Sequence, residues 1–453
     1  MIKDAVDHYH SLLDDDELVR TSFETLDSGL ERARLIFGGR RLSPYLRPHF
    51  VSAADWARVT AASETVWSAL QKVKDAAVED ESLLDELGIT ETERELVKID
   101  PGYSMVSPTA RLDSFLTGEA FSYVELNGES PAGIAYADSA SKIFLEMPLM
   151  KRFAERYELR AFEGRSKMLA VLLDCYLEFM GGSEPDEPPT IAIVDLAGLP
   201  TQAEFELFRE FFEAAGYTSV IATPQELEFD GKRLSFRGVD IDIVYKRLLV
   251  NEYLPIMAEY PALLDAYRAG AVCMVNSFRS KLIHKKAVFS VLTDERYASL
   301  FSDDELSAIA RHVPWTRSFV ERATTYAGAR IDLVEWTRQN SHKLVLKPND
   351  DYGGHGIHIG WSLSSAEWDD AVEHALKTGD YLVQERVKTA KEPFPMLVGG
   401  AGEVLMAEQL VDLDPLLFNG VVGSAFTRLS SSELANVTAG GGMVPTFVIE
   451  EKV

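Results

Sequence analysis

Leu344-Val345-Leu346-Lys347-Pro348-Asn349-Asp350-Asp351-Tyr352-Gly353-Gly354-His355-Gly356 is the stretch on which the reading of this chain turns. A short apolar run delivers a lysine, then an acidic pair, then three glycines within four residues. The run predicts a buried strand that Pro348 stops from pairing further, because proline has no N–H to give a neighbour. The glycines let a tight loop bring backbone N–H groups close to an anion. Lys347 adds a point positive charge, and Asp350 or Asp351 can hold a divalent cation beside the same anion. Together they suit a metal–nucleoside triphosphate better than any one of them does. An ordinary glycine-rich hairpin with a surface lysine is the other reading of this stretch alone. Gly354-His355-Gly356 fails the dinucleotide spacing, since Ile359 stands where a third glycine belongs, and no Gly-Lys-Ser/Thr follows to make a P-loop.

Downstream, Tyr381-Leu382-Val383-Gln384-Glu385-Arg386-Val387 reads as a strand whose end mixes backbone edge with polar side chains. The chain then runs through Phe426-Thr427-Arg428-Leu429 to Asn436-Val437-Thr438-Ala439-Gly440-Gly441-Gly442. Upstream lie Lys281, Lys285 and Lys286, and before them a compact α/β pattern. In that pattern Ile191–Val194, Ser219–Ile221 and Ile241–Tyr245 are strands, and Thr201 with Glu204 caps a helix through Phe205, Phe208 and Phe212. Strand, helix, strand predicts a parallel sheet, with Lys246 and Arg247 near the carboxyl end where open sheets place ligands. Gly181–Pro189 is the clearest linker.

Further forward, Arg111–Leu116 and Phe121–Asn127 predict a hairpin around Gly118. Alternation puts Glu125 and Asn127 on one face of its second strand, two oxygen donors of the kind a hard cation takes. A Glu-x-Asn strand end is also commonplace without any metal. Residues 140 to 180 read as helical, as do residues 1 to about 100, where Ser52 and Asp55 open a helix carrying Trp56, Val59, Val66, Leu70 and Val73.

At 453 residues the chain is long enough for two or three domains. Its formal net charge of −27, with no basic stripe, argues against nucleic acid, so a polyanion must sit in a locally basic pocket. Cys175 and Cys273 have neither metal nor redox spacing and read as buried thiols of a reducing cytoplasm. Met1-Ile2-Lys3-Asp4 lacks the apolar core of a signal peptide and no run reaches membrane-spanning length, so a cytoplasmic location away from membranes is expected. The nine histidines show no zinc spacing.

In their order, the lysines at 281–286, the Lys347 strand with its glycine loop, the 383–387 strand, Arg428 and the 436–442 run resemble the ATP-grasp enzymes. A standard member would finish with an Asp-bearing strand and a Glu-x-Asn strand; here Asp113, Glu125 and Asn127, followed by Ser130-Pro131-Ala132-Gly133, stand at the front. The resemblance is therefore to circularly permuted members, the eukaryotic-type glutathione synthetases and glutathionylspermidine-synthase-like ligases. It implies an α/β (α+β) ATP-grasp fold with a helical region at 1–100, a permuted segment at 101–187, an inserted parallel α/β substrate domain at 188–275 and the core at 276–453.

The same resemblance implies ATP as substrate, bound by Lys286, Lys347, Gly353, Gly354, Gly356, Gln384, Glu385 and Val387, with the choice among Lys281, Lys285 and Lys286 left open. It implies Mg2+ on Glu125, Asn127 and Asp351, with Asp351 favoured over Asp350 by register. Arg111 and Arg428 become the catalytic pair, and Arg111, Ser130, Arg247 and Arg428 the substrate-binding set. Guanidinium groups at 111, 247 and 428 would then line a cleft suited to an anionic acid substrate. Val250 and the 439–442 glycine run depart from the glutathione synthetase pattern and put glutathione itself in doubt. The implied activity is ATP-dependent joining of a carboxylate to an amine through an acyl phosphate; phosphoryl transfer to another acceptor, or nucleotide binding without turnover, are the alternatives. Small-molecule acid and amine partners are expected, with a homodimer possible.

Overall fold

The computed structural model describes residues 1–37, 40–118, 120–351, 353–398, 403–432 and 441–452. Tyr352 of the glycine loop and residues 436–440 of the C-terminal run lie outside them.

A large antiparallel sheet dominates. It orders Gly442–Val444, Val421–Ser430, Glu403–Phe418, Thr109–Thr117 and Ala120–Asn127, with Lys391–Val398 paired on Glu403–Phe418. The front hairpin thus joins the C-terminal ribbon, with Arg111 opposite Leu416 and Thr109 opposite Phe418. Within the hairpin, Arg111 faces Asn127 and Asp113 faces Glu125. Side chains alternate across a strand, so these four share one face.

A second sheet orders Thr316–Ser318, Tyr381–Glu385, Leu344–Pro348 and His358–Ile359. Leu344 through Lys347 are buried, as a strand covered on both faces must be, and the strand stops at Pro348. A third sheet is fully parallel in the order Cys273–Val275, Ile243–Lys246, Ile191–Val194, Ser219–Ala222. Its inner strand Ile191–Val194 is wholly buried, with helix Gln202–Ala214 set against it through Phe205, Phe208 and Phe212.

The N-terminal hundred residues are helical in the main, with Ser52 capping helix Ala53–Glu79 by accepting the Asp55 N–H. They are not helical throughout. His49–Ser52 is a strand, parallel to Thr446–Glu451, which also pairs with Tyr157–Arg160 inside the span expected to be helical. Both strands have four residues, too few for periodicity to separate from a helical turn, and their partner lies at the other end of the chain. Among the described residues no helix is long and apolar enough to cross a membrane.

Thr201 does not cap its helix as expected. Glu204 turns inward instead, fully buried, and accepts the N–H groups of Gly133 at 2.8 Å and Ala135 at 3.1 Å. Those N–H groups open helix Ile134–Glu146, whose own N-cap is Gly133 and offers no side chain. Gly133 cannot be replaced to supply one: its φ is +106° and a Cβ would lie 2.5 Å from the Phe426 ring. The other carboxylate oxygen of Glu204 faces Arg247 Nη2 at 3.4 Å. Glu204→Ala should therefore lower the unfolding free energy by about 3–5 kcal/mol, the usual loss when one partner of a buried ion pair is removed. Glu204→Gln, which keeps an acceptor for the two N–H groups, should cost less. Urea unfolding followed by circular dichroism reads both; small, equal losses would show that the carboxylate holds neither element.

Candidate active site

The sheets enclose a cavity of about 570 Å³ that runs from the second sheet, across the large sheet, to the carboxyl ends of the parallel strands. Its three parts differ in chemistry.

At one end Val345, Ile359, Trp361 and Val387 make an apolar slot edged by Gln384 and Glu385. Tyr326 donates its hydroxyl to Glu385 at 2.6 Å and fixes that carboxylate. The slot suits a flat heteroaromatic ring with polar edges.

Lys347 stands where the slot opens toward the large sheet. Its ammonium donates to the Gln384 side-chain oxygen at 2.7 Å and the Val124 carbonyl at 3.2 Å. Burial pushes its pKa down to about 8, with Glu125 opposing the shift and Lys286 adding to it. Lys286 lies 3.1 Å from Glu125 and also donates to the Asp351 carbonyl. Gly353 and Gly354 face the cavity with φ of +70° and +78°, a conformation that glycine adopts without cost. Lys286, Asp351 and Gly356 do not reach the cavity wall. Gly356 packs elsewhere, since a Cβ there would lie 2.9 Å from the Tyr381 hydroxyl. The other two lysines of the cluster are taken up: Lys281 by Glu129 and Asp350, Lys285 by Glu93 at 2.7 Å.

The middle of the cavity holds Arg111 and Arg428. Arg111 pairs with Asp113 at 2.8 Å and donates to the Ala132 carbonyl. Arg428 meets Asp113 at 2.5 Å, Asp412, and Asp414 at 3.1 Å. Asn127 donates its amide to Asp113 at 2.8 Å, which leaves the amide oxygen for another partner. Burial pushes Asp113 up, but the two guanidiniums outweigh it and bring it down to about 2. Asp414, fully buried, is held well above the usual carboxylate range.

Asp412 and Asp414 escaped the sequence reading. Their signal was the alternation Val411-Asp412-Leu413-Asp414, which puts both on one strand face, and their partner Arg428 is the residue paired with Asp412 across the ribbon.

At the far end the cavity reaches Ser130, Tyr136, Asp195 and Arg247. Arg247 donates to the Pro131 carbonyl at 2.7 Å and to the Tyr245 hydroxyl at 3.1 Å. Its Nε, the Ser130 hydroxyl and the Tyr136 hydroxyl are buried without a hydrogen-bond partner. Buried polar atoms are rarely left so, and three of them around one cavity end point to a polar ligand group. Burial raises Asp195 to about 6, against the pull of Arg247.

Of the residues singled out from sequence, Arg111, Glu125, Asn127, Ser130, Arg247, Lys347, Gly353, Gly354, Gln384, Glu385, Val387 and Arg428 line this one cavity. The cationic cleft expected of the three arginines is corrected, because Asp113, Asp412, Asp414 and Glu204 already face them. Asn276, also missed, fixes the loop after Asn127: its amide nitrogen lies 2.7 Å from the Thr109 carbonyl and 2.8 Å from that of Gly128. As for a metal, Glu125, Asn127 and Asp113 all line the cavity and offer oxygen donors, the kind of ligand a hard divalent cation takes.

No family model and no curated protein matches the chain. Among solved structures, the apo form of a glutathione synthetase-like effector from Globodera pallida is similar over 96% of this chain and 98% of its own, with a TM-score of 0.60 and 14% identity. A γ-glutamylcysteine synthetase-like protein from Methylobacillus flagellatus is similar over 86% of each chain, with a TM-score of 0.40 and 10% identity, too low to carry an argument. The first likeness shows a shared fold. The chain folds as a glutathione synthetase-like protein does, the resemblance that the order of its motifs implied.

Proposed function

We propose that the protein is an ATP- and Mg2+-dependent ligase that joins a carboxylate to an amine through an acyl phosphate, within a circularly permuted ATP-grasp architecture. The observation that carries this reading is the convergence on one cavity wall of Lys347, the Glu125/Asn127 pair and Arg428, which are scattered along the chain. The shared fold supports it.

In this reading the apolar slot takes adenine, with Glu385 and the Val387 backbone reading its edge. Lys347 neutralises the phosphates, with Lys286, 3.1 Å from Glu125, as the second charge behind the cavity wall, and the Gly353–Gly354 turn lies over the terminal phosphate. Glu125 and Asn127 would hold magnesium from the cavity wall, and Asp351, set off that wall, would have to move toward them to join; the bound ion would draw charge from the phosphate oxygens. Arg428 and Arg111, kept in place by Asp113, Asp412 and Asp414, orient the carboxylate and the acyl phosphate bidentately. The unpartnered groups of Ser130, Tyr136 and Arg247 bind the remainder of the acid. Catalysis is then mainly positioning and charge neutralisation, and no covalent enzyme nucleophile is required.

The depressed pKa of Lys347 gives this reading a pH signature. A bound phosphate favours the ammonium, whereas the empty site favours the amine once pH exceeds about 8. Affinity for Mg–ATP should be full below that value and fall as pH rises through it, with proton uptake on binding. Lys347→Arg, charged throughout, should flatten the profile, and Lys347→Met should bind weakly at every pH. Calorimetry in buffers of different ionisation enthalpy measures this; a flat wild-type profile would return Lys347 to a structural role.

Glu125→Gln removes a charged oxygen from a cation that commonly has only one or two protein carboxylates. It should cut turnover on the order of 100-fold or more, the scale of losing one transition-state contact, with the thermal midpoint little changed. Asp351→Asn should behave alike. Near-wild-type turnover by either would remove that residue from the metal set.

A further inference from the structure

A network of buried charge connects the far end of the cavity to the nucleotide loop. Glu129 is fully buried in the loop after Asn127. One of its oxygens accepts the Val250 N–H at 2.7 Å and lies 3.6 Å from the Lys246 ammonium. Both partners belong to the segment that carries Arg247, and Lys246 also donates to the Leu248 carbonyl at 2.9 Å. The other oxygen of Glu129 lies 2.9 Å from the ammonium of Lys281, itself 0% exposed. Lys281 in turn meets Asp350 at 2.7 Å. Asp350 is followed by Asp351, whose carbonyl receives Lys286.

Ligand atoms of Glu129, His284 and Asp350 lie within 4.8 Å of one another, a spacing that could enclose a metal ion. The Lys281 ammonium already supplies the cation there. Lys285 and Glu93 extend the network, giving three ammonium groups against three carboxylates, nearly all out of water. Replacing such a network by apolar groups often costs no stability, so stability alone does not account for it.

We propose that Lys281 is a positioning residue: held between Glu129 and Asp350, it sets the inserted parallel sheet against the nucleotide loop and couples the two ends of the cavity. The proposal rests on the reading of that cavity as a nucleotide site. It makes Lys246, on the parallel sheet, felt at the phosphates through Lys281.

A double-mutant cycle tests this, with Mg and a non-hydrolysable ATP analogue as probe and calorimetry as readout. Lys246→Met should weaken binding at least threefold and Lys281→Met at least tenfold. The double variant should bind as Lys281→Met does, within twofold, because the route from Lys246 is already cut. A merely structural role would lower the thermal midpoints and leave the analogue affinity of both single variants within twofold of wild type; that result, or effects that multiply in the double variant, overturns the proposal. Should Lys281→Met not fold, the Lys281→Met/Glu129→Gln variant removes one charge of each sign and takes its place in the cycle, with the same two outcomes. If the wild type bound no analogue, the nucleotide reading would fall and this inference with it. Binding by the wild type with a multiplicative cycle would overturn the coupling alone.

Discussion

The antiparallel register that sets Arg111 against Leu416 is the constraint on which the site depends. It joins a hairpin near the front of the chain to a ribbon near its end. Side chains alternate with period two, so a slip of one residue would turn Arg111 and Asp113 away from Asp412, Asp414 and Arg428. In the observed register two guanidiniums and three carboxylates meet in a buried cluster, and Asp113 reaches both arginines. The register also holds Glu125 and Asn127 on the same face, toward the cavity.

Charge around the cavity is balanced by pairing, and the lysines show what is left for a ligand. Lys281, Lys285 and Lys286 each have a carboxylate at ion-pair distance. Lys347 is hydrogen-bonded to an amide oxygen and a backbone carbonyl, both neutral, and its pKa is depressed accordingly. A desolvated ammonium without a close anionic partner is costly, and an entering phosphate relieves that cost. In a chain of net charge −27, the proposed polyanion site would rest chiefly on the depth of Lys347 and not on an excess of basic residues.

Local features were legible in the sequence. The Leu344–Pro348 strand, the hairpin around Gly118, the Ser52 cap and the parallel order after the 181–189 linker all follow from periodicity, caps and glycine placement. What escaped depends on distant partners. The strands His49–Ser52 and Tyr157–Arg160 exist because the C-terminal strand lies between them. Glu204 has the spacing of a local capping residue, yet it serves a helix seventy residues earlier because the two helices meet. The three arginines singled out from sequence all line the cavity, but Asp412 and Asp414, which face two of them, are set by strand pairing, which local pattern does not reveal. For the same reason three lysines of similar sequence context could not be ranked before their buried partners were seen.

The central claim concerns bond formation, and trapping tests it most directly. The protein would be incubated with Mg–ATP, a panel of amino acids and short peptides as acids, and hydroxylamine as a general amine. A ligase acting through an acyl phosphate releases ADP and phosphate in step with a hydroxamate of one acid. Release of AMP and pyrophosphate, or a stable phosphorylated acceptor without hydroxamate, would contradict the account.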